Sequence, residues 1–442
     1  MKRYLKIVFI EISHLTRSPF KIISLIFYLL AVIYGCQNGY NLFKKHNNEI
    51  ISIKANYEDQ KAKMLFQYEE IEKGTLERPR RDPTIPYWAI WNTPSYAFKY
   101  PSPMMVFSLG QSEQYGYYKK VTNWSTTFDN DLAEEIANPE RLSIGTLDFN
   151  FVLIYLTPIL LIIMLFNIGG LEIDLKFIHL IYVNNISKKE WLIARFTFYF
   201  ILVIILLFTF LLPFGLLSGV FQNELINFLK LSLLILVYVL TWFSIFYIIN
   251  YWGNGSPDQA LKMISTWLAF CIIIPGAFHQ FSSLKYSANY MTDYLDVSRN
   301  QKYEIFDLST DILQTKLLES FPNLRSTLHA NDTTLNKSVI NRSISGIVNT
   351  YNKKVSHKIE TSKEAKNQFV KSYFLLNPVI YFQNKINAFT KTDYYAYREY
   401  RKHIQFLVDK KINFILEDTW NNVIVNKEKY LQYVRAFKQK HG

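Results

Sequence analysis

The sequence predicts a mainly α fold: a polytopic membrane helix bundle of five spans, N-terminus inside, with two largely helical extracytoplasmic domains. Three observations carry this expectation. Half of the 442 residues are hydrophobic and only 19% are charged. The uncharged residues gather into five long runs, 22–43, 149–171, 196–223, 231–257 and 263–284. Two long polar stretches, 44–148 and 285–442, lie between and after those runs. Each run exceeds the ~20 residues that a helix needs to cross a hydrocarbon core of ~30 Å. In lipid every backbone N–H and C=O must be paired within its own segment, which makes helices of such runs. Within these boundaries the spans carry no charged side chain.

Residues 1–43 read as a short cytoplasmic helix followed by the first span. Lys2, Arg3, Lys6, Arg17 and Lys21 precede that span against one acid, Glu11, so the positive-inside rule places the N-terminus in the cytoplasm. Tyr34, before Gly35-Cys36, is bulky for a cleavage site, so a retained anchor is expected rather than a removed signal. Alternation then puts 44–148 outside, 172–195 inside, 224–230 outside, about 252–262 inside and 285–442 outside.

The first outer domain, 44–148, begins with Ile50, Ile53, Tyr57, Met64 and Ile71 at helical spacing, the pattern of a helix that rises from the membrane and packs on a neighbour. The prolines at 79, 83, 86, 94, 101 and 103 exclude a continuous helix after it. Trp88 and Trp91 in that stretch are expected to pack an irregular loop.

The bundle covers 149–284. Pro158, Pro213 and Pro275 fall inside spans and predict kinks there. Its first inward loop, 172–195, is the most informative stretch, LEIDLKFIHLIYVNNISKKEWLIARF with its flanks. Leu171, Leu175, Ile178 and Tyr182 share one helical face, which predicts a single short amphipathic helix able to lie along the membrane or against a protein. Asn184-Asn185 supplies a turn, and Ser187-Lys188-Lys189-Glu190 is a capping box that starts the third span. Trp191 is expected at the interfacial level. The second outer domain, 285–442, breaks at Asn377-Pro378, and its 394–420 stretch aligns Ile404, Val408, Ile412 and Ile415 in one apolar stripe.

The chemistry that the sequence excludes is as useful. The net charge of +13 has no basic stripe with interleaved aromatics, so it suits an anionic membrane surface rather than nucleic acid. Two cysteines, Cys36 and Cys271, allow no zinc framework. The eight histidines are scattered, and Met104-Met105 reads as core packing. There is no HExxH and no GxSxG, and without GxxxxGK[ST] the chain cannot cradle ATP phosphates.

NPERLSIGTLDFNFVLIYLTPILLIIMLFN (138–167), Glu172 and then NNISKKEWLIARF resemble the core of ABC-2-type permeases. FSLGQSEQYGYYKKV (107–121), TWLAFCIIIPGAF (266–278) and LLNPVIYFQNKINAFTKTDYYAYREYRKHIQ (375–405) resemble, in order, parts of a bacterial subgroup with two large extracytoplasmic inserts, named for likeness to multicopper-enzyme-maturation permeases. The family pattern ends in a sixth span after the second insert, and 285–442 contains no such run. The resemblance implies a permease subunit without enzymatic activity or cofactor of its own, in the bacterial inner membrane. ATP and Mg would sit on a separate P-loop ATPase, and a second permease copy or paralogue would complete the bundle. By the same resemblance 171–190 is the element that docks in the ATPase, with Glu172, Asp174, Ser187, Lys188, Lys189 and Glu190 as coupling residues, and KIVFIEISHLTRSP is the interfacial elbow helix. Large outer domains also fit a machine that passes mechanical work to a periplasmic or outer-membrane partner.

Overall fold

The computed structural model describes residues 2–75, 79–128, 147–183, 186–286, 297–331, 336–374 and 376–438. The chain starts with helix α1 (Lys2–Thr16) and breaks at Ser18. Proline then opens α2 (Pro19–Glu72), a position where its missing N–H leaves nothing unpaired. α2 does not stop where its apolar run stops. Its 54 residues form one continuous helix, roughly 80 Å long at ~1.5 Å per residue. Beyond Phe43 it is held by packing, with Ile50 and Tyr68 buried. Gly74 ends it in the left-handed conformation, at φ +72°.

The proline-rich stretch forms α3 (Pro86–Asn92) and a small antiparallel ladder of β1 (Tyr96–Phe98) with β2 (Tyr118–Lys120), Tyr96 opposite Lys120. Trp88 and Trp91 pack around Tyr87, at 5.0 and 6.3 Å between ring centroids. A tight turn at Pro103–Phe107 pushes Met104, Val106 and Phe107 into the core of the bundle. α2 approaches that turn so closely that a Cβ on Gly39 would lie 2.2 Å from the Val106 carbonyl oxygen.

The second expected span is the shorter helix α4 (Phe149–Leu165). Two short helices follow, α5 (Leu171–Asp174) and α6 (Ile178–Val183). α7 (Lys188–Ser218), α8 (Leu225–Trp252) and α9 (Ser256–Lys285) complete the bundle. α2, α7, α8 and α9 are each long and apolar enough to cross a membrane. These helices begin earlier than the uncharged runs do. Lys21, Lys188, Arg195, Lys230 and Lys262 therefore lie inside them, and the helices are longer than the charge-free runs they contain.

Pro158 and Pro275 share one local geometry. Each follows a wide π turn, Val152–Leu156 in α4 and Ala269–Ile273 in α9. Proline donates no hydrogen bond and crowds the carbonyl one turn earlier, and widening the helix relieves that clash. The released carbonyls find other donors: Tyr238 Oη donates to Ile154 O at 2.6 Å, and Asn377 Nδ2 to Phe270 O at 3.1 Å. Pro213 sits inside α7 without interrupting it.

The remaining helices are α10 (Val297–Phe306), α11 (Thr310–Ser320), α12 (Lys337–Ser372), α13 (Pro378–Phe389), α14 (Tyr394–Trp420) and α15 (Lys427–Phe437). Asn377 caps α13 through the Val379 and Ile380 amides. Ile404, Val408, Ile412 and Ile415 are buried on α14. The two polar stretches of the sequence share their cores. Ala97 and Val121 pack with α11, α12 and α14, while Tyr68, Ala89 and Ile90 pack with Ile415, Tyr430 and Tyr433. α13 leaves this polar body and lies against the bundle, with Val379, Phe382 and Ile386 in the bundle core and the Phe382 ring 5.0 Å from Tyr238.

Candidate functional site

The site lies at the end of the bundle away from the polar body, where α1, α5, α6 and the starts of α2, α7 and α9 meet. The single amphipathic helix expected over 171–182 is instead two short helices. Lys176 takes φ +60° and breaks it, and Phe177 N returns to Glu172 O at 2.8 Å. Leu175, Phe177, Leu180 and Val183 are 53 to 83% exposed, so the apolar side of this loop faces away from the bundle. The turn expected at Asn184-Asn185 lies outside the described residues.

The loop's acidic residues point the other way. Glu172 Oε1 accepts from Arg195 Nη1 at 2.5 Å, and Arg195 also donates to Ile168 O at 2.8 Å. The Arg195 guanidinium pairs through Nε with Glu11 of α1 and lies 5.2 Å from the centre of the Trp191 ring. Arg195 is 2% exposed and Glu11 1%. Lys21, at the start of α2, donates to Met164 O at 3.0 Å and to Tyr199 Oη at 3.3 Å. Two carboxylates and two cations thus form a neutral buried node. It joins α1, α2, α5 and α7. A buried charge in such a node is costly to leave without its partner.

Asp174 serves a different joint. Its Oδ2 accepts from Ser256 N at 3.0 Å, at the N-terminus of α9, where the exposed amides favour an anion. Space for this contact depends on glycine. A Cβ on Gly255 would sit 2.6 Å from Asp174 Oδ1, and one on Gly170 would sit 2.3 Å from Ser256 N. Gly169 N donates to the buried Asn250 side chain at 2.9 Å, which closes the same corner.

The capping box is present in full: Ser187 Oγ accepts from Glu190 N at 3.2 Å, and Glu190 Oε2 accepts from Ser187 N at 3.1 Å. Lys188 Nζ donates to Tyr251 O at 2.6 Å and so ties α7 to the end of α8. Lys189 is exposed and lines a groove between those two helices.

Of the six coupling residues expected, Glu172, Asp174, Ser187, Lys188 and Glu190 are thus fasteners within this chain, and only Lys189 projects freely. The exposed surface of the loop combines the apolar Leu175, Phe177, Leu180 and Val183 with the polar Asp174, Lys176 and His179. Glu11 and Arg195 entered that reading only as charges on either side of a span. The signal available was a lone acid within IVFIEI and a lone arginine within LIARF, each a single charge in an otherwise apolar stretch. Among the described residues no group of three His, Cys, Asp or Glu side chains could hold a metal ion. No family model, no curated protein and no solved structure matches this chain.

Proposed function

We propose that this chain is the membrane subunit of an ABC-2-type ATP-driven transporter in a bacterial inner membrane, worked by a P-loop ATPase on a separate chain. ATP and Mg belong to that partner, and a second copy or paralogue completes the assembly. The observation that carries the reading is the construction of 171–183. Its acidic side is locked to α1 and α7 through Arg195 and to α9 through Ser256. Its exposed side includes Leu175, Phe177, Leu180 and Val183. An element pinned at buried joints and apolar on its open face transmits a push into several helices at once.

Two substitutions separate docking from transmission. Phe177→Glu with Leu180→Glu abolishes co-purification with the ATPase, because charge on a desolvated face is not tolerated. Glu172→Gln preserves co-purification but lowers substrate-coupled ATPase activity by at least fivefold. Undiminished co-purification of the double variant would remove the docking face and the reading with it.

One observation favours a second reading, in which the complex performs mechanical work on a partner outside the membrane. α2 runs unbroken from the node at Lys21 to the polar body at Tyr68. A conduit needs no such rod.

A further inference from the structure

Between α7 and α8 an open groove of about 410 Å³ runs along the bundle surface. Its α7 wall is Lys189, Ile193, Phe196, Thr197 and Phe200, and its α8 wall runs from Leu240 to Ile248. Packed rings make up much of the lining: Phe196 lies 6.1 Å from Phe243 and 5.6 Å from Tyr247, and Phe200 lies 5.3 Å from Phe243. Of the three hydroxyls in the lining, two are engaged with their own helices, Thr197 with Ile193 O at 2.7 Å and Ser244 with Leu240 O at 2.8 Å, and the third belongs to Tyr247. The walls therefore ask for a mainly apolar occupant. From Lys189 to Phe200 the α7 wall covers about 16 Å at ~1.5 Å per residue, close to half of a ~30 Å hydrocarbon core.

The polar end is equally specific. Lys188 is held by Tyr251 O. Lys189, the next residue, is exposed and makes no ion pair or hydrogen bond among the described residues. A groove one leaflet long, apolar along its walls and ending in a free ammonium, has the form of a phospholipid: acyl chain below, anionic headgroup above.

We propose that this groove is a binding site for one anionic phospholipid of the cytoplasmic leaflet, its phosphate on Lys189 and an acyl chain against Phe196, Phe200 and Phe243. Basic positions between transmembrane helices on the cytoplasmic side are the expected seats of such headgroups. The site rests on the bundle's position in the membrane and not on the ATPase partner.

Native mass spectrometry of the full chain in detergent, titrated with phosphatidylglycerol or phosphatidylcholine of the same acyl chains, tests it without any ATPase. The wild type is expected to retain the anionic lipid at least fivefold better. Lys189→Glu removes that preference. Ile193→Trp, which fills the groove, reduces retention of both lipids. Lys262→Glu, on α9, leaves the preference unchanged. Equal retention of the two lipids by the wild type, or a preference that survives Lys189→Glu, overturns the site. So does efficient disulfide crosslinking of Ile193→Cys between two copies in native membranes, which would place a second chain in the groove.

Discussion

Glu11 and Arg195 are distant in sequence and meet where neither is more than 2% exposed. Such a pair gives little net stability against an apolar replacement of the same shape, since both charges lose their hydration. Its effect is felt when one member is removed. Arg195→Met alone is expected to lower the unfolding free energy by about 3–5 kcal/mol, because the buried Glu11 and the partly buried Glu172 both lose the guanidinium they pair with. Replacing the whole node, Glu11→Leu, Lys21→Met, Glu172→Leu and Arg195→Met together, should recover most of that loss. Denaturant unfolding in detergent micelles measures both, and a silent Arg195→Met would show that the node does not hold these helices. Asp174 follows a different logic: it meets the amides that open α9, and its position is set by backbone that only Gly170 and Gly255 allow.

At the scale of elements, α2 combines two environments in one helix. Its apolar first half suits lipid and its charged second half suits water, and the helix continues because the same backbone pairing satisfies both. Lys45 is exposed near the junction. Lys45→Pro should break the rod there, since a mid-helix proline costs about 3 kcal/mol or more and removes a backbone hydrogen bond. Spin labels at Thr16→Cys and Ile424→Cys, both exposed, then report the consequence. An ATP-dependent distance change seen in the wild-type complex should vanish in Lys45→Pro while ATPase association persists. A change of undiminished size would show that the bundle moves the polar body through α13 instead. The π turns of α4 and α9 are companions in this respect. Each marks a proline, and the carbonyls they free are bonded by Tyr238 of α8 and by Asn377, which caps α13.

For the molecule as a whole, the bundle and the polar body are joined by α2, by the Pro103–Phe107 turn and by α13. Within the polar body the two polar stretches of sequence are one packing unit, and Lys411 sits at their seam. It is 1% exposed and donates to Ile90 O and Thr93 O, both at 3.2 Å. Burial, with Lys120 nearby as a second cation, pushes its pKa down from 10.5 to about 7. The unfolded chain therefore binds more protons than the folded one between about pH 7 and 10, so stability rises with pH across that window. Lys411→Met should raise the unfolding temperature at pH 7 and flatten the dependence between pH 7 and 10. A thermal shift series over that range checks this, and an unchanged slope would show that Lys411 does not titrate there.

Amino-acid order alone determined what is local: the apolar runs, the capping box at Ser187, the break at Asn377-Pro378 and the stripe from Ile404 to Ile415. These follow from spacing and from the chemistry of single residues, which a linear reading contains. It also marked 171–190 as unusual and predicted an amphipathic helix there, but helical periodicity shows that a face exists and not which neighbour covers it. Only the tertiary structure decided that Glu172 and Asp174 turn inward, that Lys176 breaks the loop helix and that Glu11 reaches Arg195. It alone merged residues on either side of the bundle sequence into one polar body. The physical reason is that a buried charge is stable only beside its partner, and the partner's position is set by packing of the whole chain.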